Sequence, residues 1–165
     1  GAALAAGKVG DVGETLGGLA LIAGALGFGT VASLPASGTV TVASGAAITL
    51  GMGTGGTYFT TANLESLFAG TFPGVTLAAD SAVGIDTSAG DYAYTYTGTS
   101  AYGFAKTGAN KLTVTGASTY TGSTFVYGGT LQLAPTTAAG ATDSLSGAGS
   151  TVVPSSKRST TRGST

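Results

Sequence analysis

Apolar and polar residues alternate with period two in short runs through the middle of the chain, at residues 38–42, 47–50, 75–77, 82–86, 92–96, 111–115, 123–127 and 130–133. Such alternation places every second side chain on one face of an extended strand. The runs are rich in Val, Ile, Thr, Tyr and Phe, which fit a pleated, half-buried surface. Between them stand turn formers at residues 43–45, 80–81, 88–91, 108–110, 116–118 and 128–129, where Gly, Asn, Asp and Ser reverse the chain at little cost. Strands recurring every 8–12 residues or so belong to a sandwich, a barrel or a β-solenoid. Runs this short, with Gly and Asn at the corners, favour the flat faces of a solenoid. The expected fold is all-β, a parallel β-helix-like solenoid, with a β-sandwich as the alternative. Leu112, Val114, Leu131 and Leu133 are expected to share one core.

One helix interrupts this pattern. Residues 61–69 (TANLESLFA) hold good helix formers, with Thr61 to cap, Glu65 in the first turn and Gly70 as a stop. The spacing buries Leu64, Leu67 and Phe68.

Three zones follow from the pattern: an Ala/Gly/Leu-rich segment at 1–36, a β-rich domain at 37–134, and a Ser/Thr/Pro-rich segment and tail at 135–165. Within the first, residues 16–34 run for 19 positions without a charge, near the length of a membrane span. Five glycines weaken that reading, and Asp11 and Glu14 stand where a signal segment carries basic residues. Burial inside the fold or against another subunit is the favoured expectation over a membrane anchor. Leu19, Leu21, Ile22, Leu26 and Phe28 are the candidate self-association residues. The chain opens on Gly1 rather than Met, as a processed product would.

Composition narrows the function. Apolar residues make up 42% of the chain and charged residues 8%, the reverse of a disordered composition. A net charge of −1 offers no field for nucleic acid. Lys157, Arg158 and Arg162 read as a solvated tail. Without Cys there is no disulfide framework and no thiolate zinc site. Without His there is no Ser–His couple.

The remaining candidate chemistry is sparse. Gly51-Met-Gly-Thr-Gly-Gly56 spells a dinucleotide-type glycine pattern, but Thr57-Tyr-Phe-Thr-Thr61 is a poor helix start, and phosphate binding needs a helix N-terminus there. Asp80, Asp86 and Asp91 could approach one turn edge, yet turn capping suits their spacing better than a calcium cage. A Ser–Lys couple would need Lys106 or Lys111. Tyr92, Tyr94 and Tyr96 form a row on one strand face. It is a candidate ligand or subunit contact, with an aromatic row in the core as the favoured alternative. No cofactor or metal is expected.

Residues 107–133 carry Leu112, Val114, Thr115-Gly-Ala117, Thr119-Tyr-Thr-Gly122, Thr124, Val126 and Gly128-Gly-Thr-Leu131. This run resembles the autotransporter-associated β-strand repeat, also called the passenger-associated transport repeat. Ser118 stands where that pattern has Asn, and Phe125 and Tyr127 are bulkier than its usual residues. The resemblance implies a parallel β-helix passenger segment on or released from a bacterial cell surface, and it brings no catalytic residues. The expected function is a secreted or surface structural protein that self-associates into a fibre, sheath or matrix. An adhesin-like passenger binding glycans is the alternative, and a glycan-processing β-helix enzyme the third reading.

Overall fold

The computed structural model describes residues 12–15, 18–35, 38–96, 99–116, 118–133 and 145–146. Its strands coil into a β-solenoid of about five turns with one helix inserted. In chain order they are β1 (Val12–Thr15), β2 (Gly18–Leu21), β3 (Ala25–Phe28), β4 (Thr39–Val42), β5 (Ala47–Gly51), the helix α1 (Thr61–Phe68), β6 (Val75–Leu77) and β7 (Ala82–Asp86). There follow β8 (Tyr92–Thr95), β9 (Thr99–Ser100), β10 (Gly103–Thr107), β11 (Lys111–Thr115), β12 (Ser118–Tyr120), β13 (Thr124–Val126), β14 (Thr130–Leu133) and β15 (Leu145–Ser146).

Strands from successive turns lie beside one another in parallel. The longest sheet has the order β13-β10-β7-β5-β3. A second face is divided between β1-β2-β4-β6 and β14-β11-β8, and a third is built by β15-β12-β9. Only β1 breaks the rule among the described strands, pairing antiparallel with β2.

Period-two alternation becomes columns of like residues in the core. In the long sheet Leu26, Ile48, Val83 and Phe104 stack in register, two positions from a second column of Phe28, Leu50, Ile85 and Lys106. The facing sheets supply Leu19 over Val40 and Leu21 over Val42, then Tyr92 beside Leu112 and Tyr94 beside Val114. Ala25, Ala47, Ala82 and Ala105, on the other face of the long sheet, form a separate buried cluster against which Phe125 and Tyr127 pack.

The helix lies at the predicted place and buries the predicted Leu64, Leu67 and Phe68. Its cap is Thr60, one residue earlier than expected: Thr60 Oγ1 accepts from the Asn63 amide at 3.2 Å, and Asn63 Oδ1 accepts from the Thr60 amide at 2.9 Å. That earlier start moves Glu65 out of the first turn. The corners use the predicted turn residues. Asp80 takes a left-handed conformation (φ 61°) that few non-glycine residues adopt, and Gly108 turns the chain out of β10 with φ 81°.

One expectation changes. Leu133 is 45% exposed rather than in the core, because β14 is the last strand of its sheet and no described strand lies beyond it. Residues 18–28 supply β2 and β3, which pair with β4 and β5, so the uncharged segment is wound into the same sheets as the strands after it.

Leu112 is fully buried in the middle strand of its sheet, so Leu112→Ala should cost about 2–5 kcal/mol in urea unfolding. Leu133→Ala should change stability by less than about 0.5 kcal/mol. Equal effects would contradict this placement of the two leucines.

Candidate functional site

The predicted tyrosine row sits at the junction of α1 with the third face. Tyr94 and Tyr96 are each 5% exposed, and Tyr92 is half-buried. Phe68 from α1 stacks on Tyr96 at 4.6 Å between ring centroids, and on Phe104 at 5.9 Å. The two tyrosines are 5.9 Å apart and nearly parallel. This is an aromatic core, and it anchors the helix: Ser100 Oγ in β9 donates to the Phe68 carbonyl at 3.0 Å. A cavity of about 230 Å³ opens beside it, lined by Glu65, Phe68, Tyr94, Thr95, Tyr96 and Thr99. The Tyr96 hydroxyl is buried without a hydrogen-bond partner. Burial pushes the Tyr94 hydroxyl up from 10.0 to about 12, helped by Glu65.

Of the candidate self-association residues, Leu19, Leu21, Leu26 and Phe28 lie in the chain's own core, while Ile22 is 59% exposed. Among the described residues no helix is long and apolar enough to cross a membrane.

The second cluster lies where β7 and β10 end. Lys106 occupies an inward position in the column of Phe28, Leu50 and Ile85, and it is fully buried. Its ammonium donates to Thr87 Oγ1 at 2.9 Å and to the carbonyls of Thr107 at 3.0 Å, Gly108 at 2.9 Å and Gly128 at 2.8 Å. One side chain thus ties the corners after β7, β10 and β13. Asn110 adds a bond from Nδ2 to the Thr87 carbonyl at 2.7 Å. The Thr107 carbonyl also accepts from the Thr87 amide at 3.1 Å, and the ammonium adds a charged donor to it and to the Gly108 and Gly128 carbonyls at the corners.

The hydroxyl bonded to Lys106 belongs to Thr87, a threonine rather than a serine, and both residues are fully buried. Ser88 Oγ donates instead to Asp86 Oδ1 at 2.6 Å. The aspartates act at turns, as their spacing suggested. Asp86 is buried and also accepts the Ser88 amide at 2.8 Å, and Asp91 accepts the Lys111 amide at 2.9 Å. Gly51 and Met52 of the glycine pattern lie in β5 and an isolated bridge, and the residues after them form turns before α1 begins. Lys157, Arg158 and Arg162 lie outside the described residues.

The stretch from β10 to β14 makes a full circuit of the solenoid and holds Lys106, Gly108 and Gly128. Residues 104–133 match the passenger-associated-transport-repeat family. The match begins in β10, before the sequence resemblance at residue 107, and ends with β14. It covers 30 of 165 residues, so the repeat is one segment of a longer solenoid. No curated protein and no solved structure matches the chain. In this repeat Thr119 and Tyr120 lie in β12, Tyr120 turns into the core 6.0 Å from Phe104, and Thr121-Gly122 bend the chain towards β13. Gly128-Gly129 forms the next corner, where the Gly128 carbonyl meets Lys106.

Sequence reading missed Lys106 as a structural residue. The only signal was a charge in Gly103-Phe-Ala-Lys-Thr107, where alternation from Phe104 places position 106 inward. On sequence grounds Lys106 is only a candidate partner of a Ser–Lys couple.

These groups predict a two-sided pH profile. Burial lowers the Lys106 ammonium from 10.5 to about 8, against the opposing pull of Asp86 and Asp91. The unfolded chain then holds more protons than the folded one between those values, so stability rises as pH climbs from about 8 towards 10.5. Tyr94, raised by burial from 10.0 to about 12, acts oppositely: the folded state keeps a proton the unfolded chain has lost, and stability falls above pH 10. Burial raises Tyr96, Tyr120 and Tyr127 in the same sense. Urea midpoints measured against pH should climb above pH 8 and drop beyond 10. Lys106→Met should lower stability at pH 7 by about 2–4 kcal/mol through unsatisfied carbonyls, remove the climb and keep the drop. A variant profile parallel to the wild type would assign the titration to another group.

Proposed function

We propose that the protein is a secreted or cell-surface structural element, a passenger-like solenoid that self-associates into a fibre, sheath or matrix. The observation that carries this reading is the passenger-associated transport repeat at 104–133, wound as one circuit of a parallel β-solenoid. Repeats of this kind serve as scaffold and bring no reactive group. The two clusters of polar and aromatic side chains here are occupied in holding turns together, which supports a structural role over a catalytic one.

Self-association is supported by surface chemistry. Charged residues are 8% of the chain, so copies repel one another weakly. Ile22, Val31 and Leu133 are large apolar side chains left 59%, 48% and 45% exposed. A single exposed apolar residue is ordinary, but exposed strand edges beside low charge favour pairing. The adhesin reading rests on a different observation, the cavity at α1 with the unpartnered Tyr96 hydroxyl and the Glu65 carboxylate. A neutral glycan ring could offer hydroxyls to the exposed Glu65 carboxylate.

Light scattering on the full chain tests the first reading. The mass should rise with concentration well above the 15.6 kDa monomer, and Ile22→Lys should lower it towards that value. A strict monomer at millimolar concentration would reject self-association. Glycan-array binding lost in Glu65→Ala would favour the adhesin reading in its place.

A further inference from the structure

The glycine pattern at 51–56 borders a second cavity, of about 240 Å³, lined by Gly29, Thr30, Gly51, Tyr58, Asp86 and Ser88. Its walls come from three turns of the solenoid: Gly29 follows β3, Gly51 ends β5 and Asp86 ends β7. Two close approaches there require glycine. A Cβ on Gly51 would collide with the Gly29 carbonyl, and one on Gly27 would stand 2.7 Å from Asp86 Oδ2. At Gly29, by contrast, a Cβ would meet no atom within 4 Å, so open space lies above it. The half-buried Tyr58 ring lies against Gly53, 2.9 Å from where a Cβ would stand, and supplies an aromatic wall.

The charge at this cavity is negative. Asp86 is only 1% exposed, and both hydrogen bonds to its carboxylate, from the Ser88 amide and hydroxyl, end on Oδ1. Oδ2 is the oxygen that lies over Gly27, in the strand that leads to Gly29 and Thr30. Lys106 directs its ammonium to Thr87, Thr107, Gly108 and Gly128 instead of to Asp86. A carboxylate withdrawn this far from water is costly unless a donor or a cation meets it. The same charge repels phosphate, so the glycine pattern does not serve the dinucleotide chemistry that its spelling suggests.

The walls set which cation fits. Calcium takes about six to eight oxygen ligands. Among the described residues no three Asp or Glu side chains gather to supply them. One buried carboxylate, an aromatic wall and a glycine floor suit an ammonium head on a short alkyl chain. The head pairs with the carboxylate and is attracted by the ring, and the chain lies over Gly29. At about 30 Å³ per liquid water the volume equals roughly eight waters, room for such an amine.

We propose that this cavity binds a primary alkylammonium, either a free amine or a lysine side chain, through Asp86 and Tyr58. The inference does not depend on the proposed function, since it rests on the cavity and its buried carboxylate.

Calorimetric titration of the full chain with n-butylammonium chloride at constant ionic strength tests it. Saturable binding is expected. Asp86→Asn keeps an oxygen to accept from Ser88 but loses the charge, and should weaken binding at least about tenfold. Gly29→Leu fills the open space with Asp86 intact, and should weaken it as much while far-UV circular dichroism stays that of the wild type. n-Butanol, of the same shape without the charge, should bind at least about tenfold more weakly. Nα-acetyl-lysinamide separates the two sources. Affinity within about threefold of n-butylammonium assigns the site to lysine side chains, and a larger loss assigns it to free amines. Should Asp86→Asn not fold, Gly29→Leu and n-butanol decide. No saturable binding to the wild type, full affinity in either folded variant, equal binding of n-butanol, or displacement by equimolar calcium chloride would each overturn the proposal.

Discussion

Parallel, in-register pairing between successive turns is the constraint on which the other features depend. Once β5 lies on β7 with Ile48 at Val83 and Leu50 at Ile85, the inward position of every neighbouring strand in that sheet is determined. A slip of one residue would exchange the core column for the outer alanines. The corners must then return the chain in the same phase each time. This is why Asp80 and several glycines adopt positive φ at the turns, where a bulkier residue would be strained.

That geometry also explains the buried lysine. A solenoid satisfies amides and carbonyls along its strands, but the carbonyls at corners diverge from the ladder. From inside the core the ammonium of Lys106 reaches the Thr87 hydroxyl after β7 and carbonyls at the ends of β10 and β13. An aliphatic residue at position 106 would continue the column of Phe28, Leu50 and Ile85 but leave three carbonyls without this donor. Among the described residues the ammonium's direct partners are a hydroxyl and three carbonyls, and these hydrogen bonds carry its compensation. Its lowered affinity for protons is the residual cost of that burial.

The helix has a related role. Above β9 the third face has no described strand, and α1 brings Phe68 onto Tyr96 and Phe104 there. The bond from Ser100 to the Phe68 carbonyl joins the last turn of α1 to the first strand of that face. The tyrosine row belongs to the same junction, so any ligand role must act through the cavity beside it rather than through an exposed ladder.

The eight alternating runs, the helix and most corners were legible in the sequence because each depends on local chemistry: period-two burial, a capping hydroxyl, a residue tolerant of positive φ. The repeat at 104–133 was legible because its glycines and its Thr119-Tyr-Thr-Gly122 run stand in the order of the family's pattern. Strands β2 and β3 were not. Ala, Leu and Gly in residues 18–28 carry weak strand preference, and only pairing with β4 and β5 makes them extended. β10 was hidden for a different reason. Its lysine reads locally as a solvent-facing charge, and the acceptors that make its burial tolerable, the Thr87 hydroxyl and the Thr107, Gly108 and Gly128 carbonyls, are brought together only when successive turns stack. Local composition thus determined where the chain extends and turns. Which charge is buried, and which apolar residue is left outside, was decided by contacts between turns far apart in sequence.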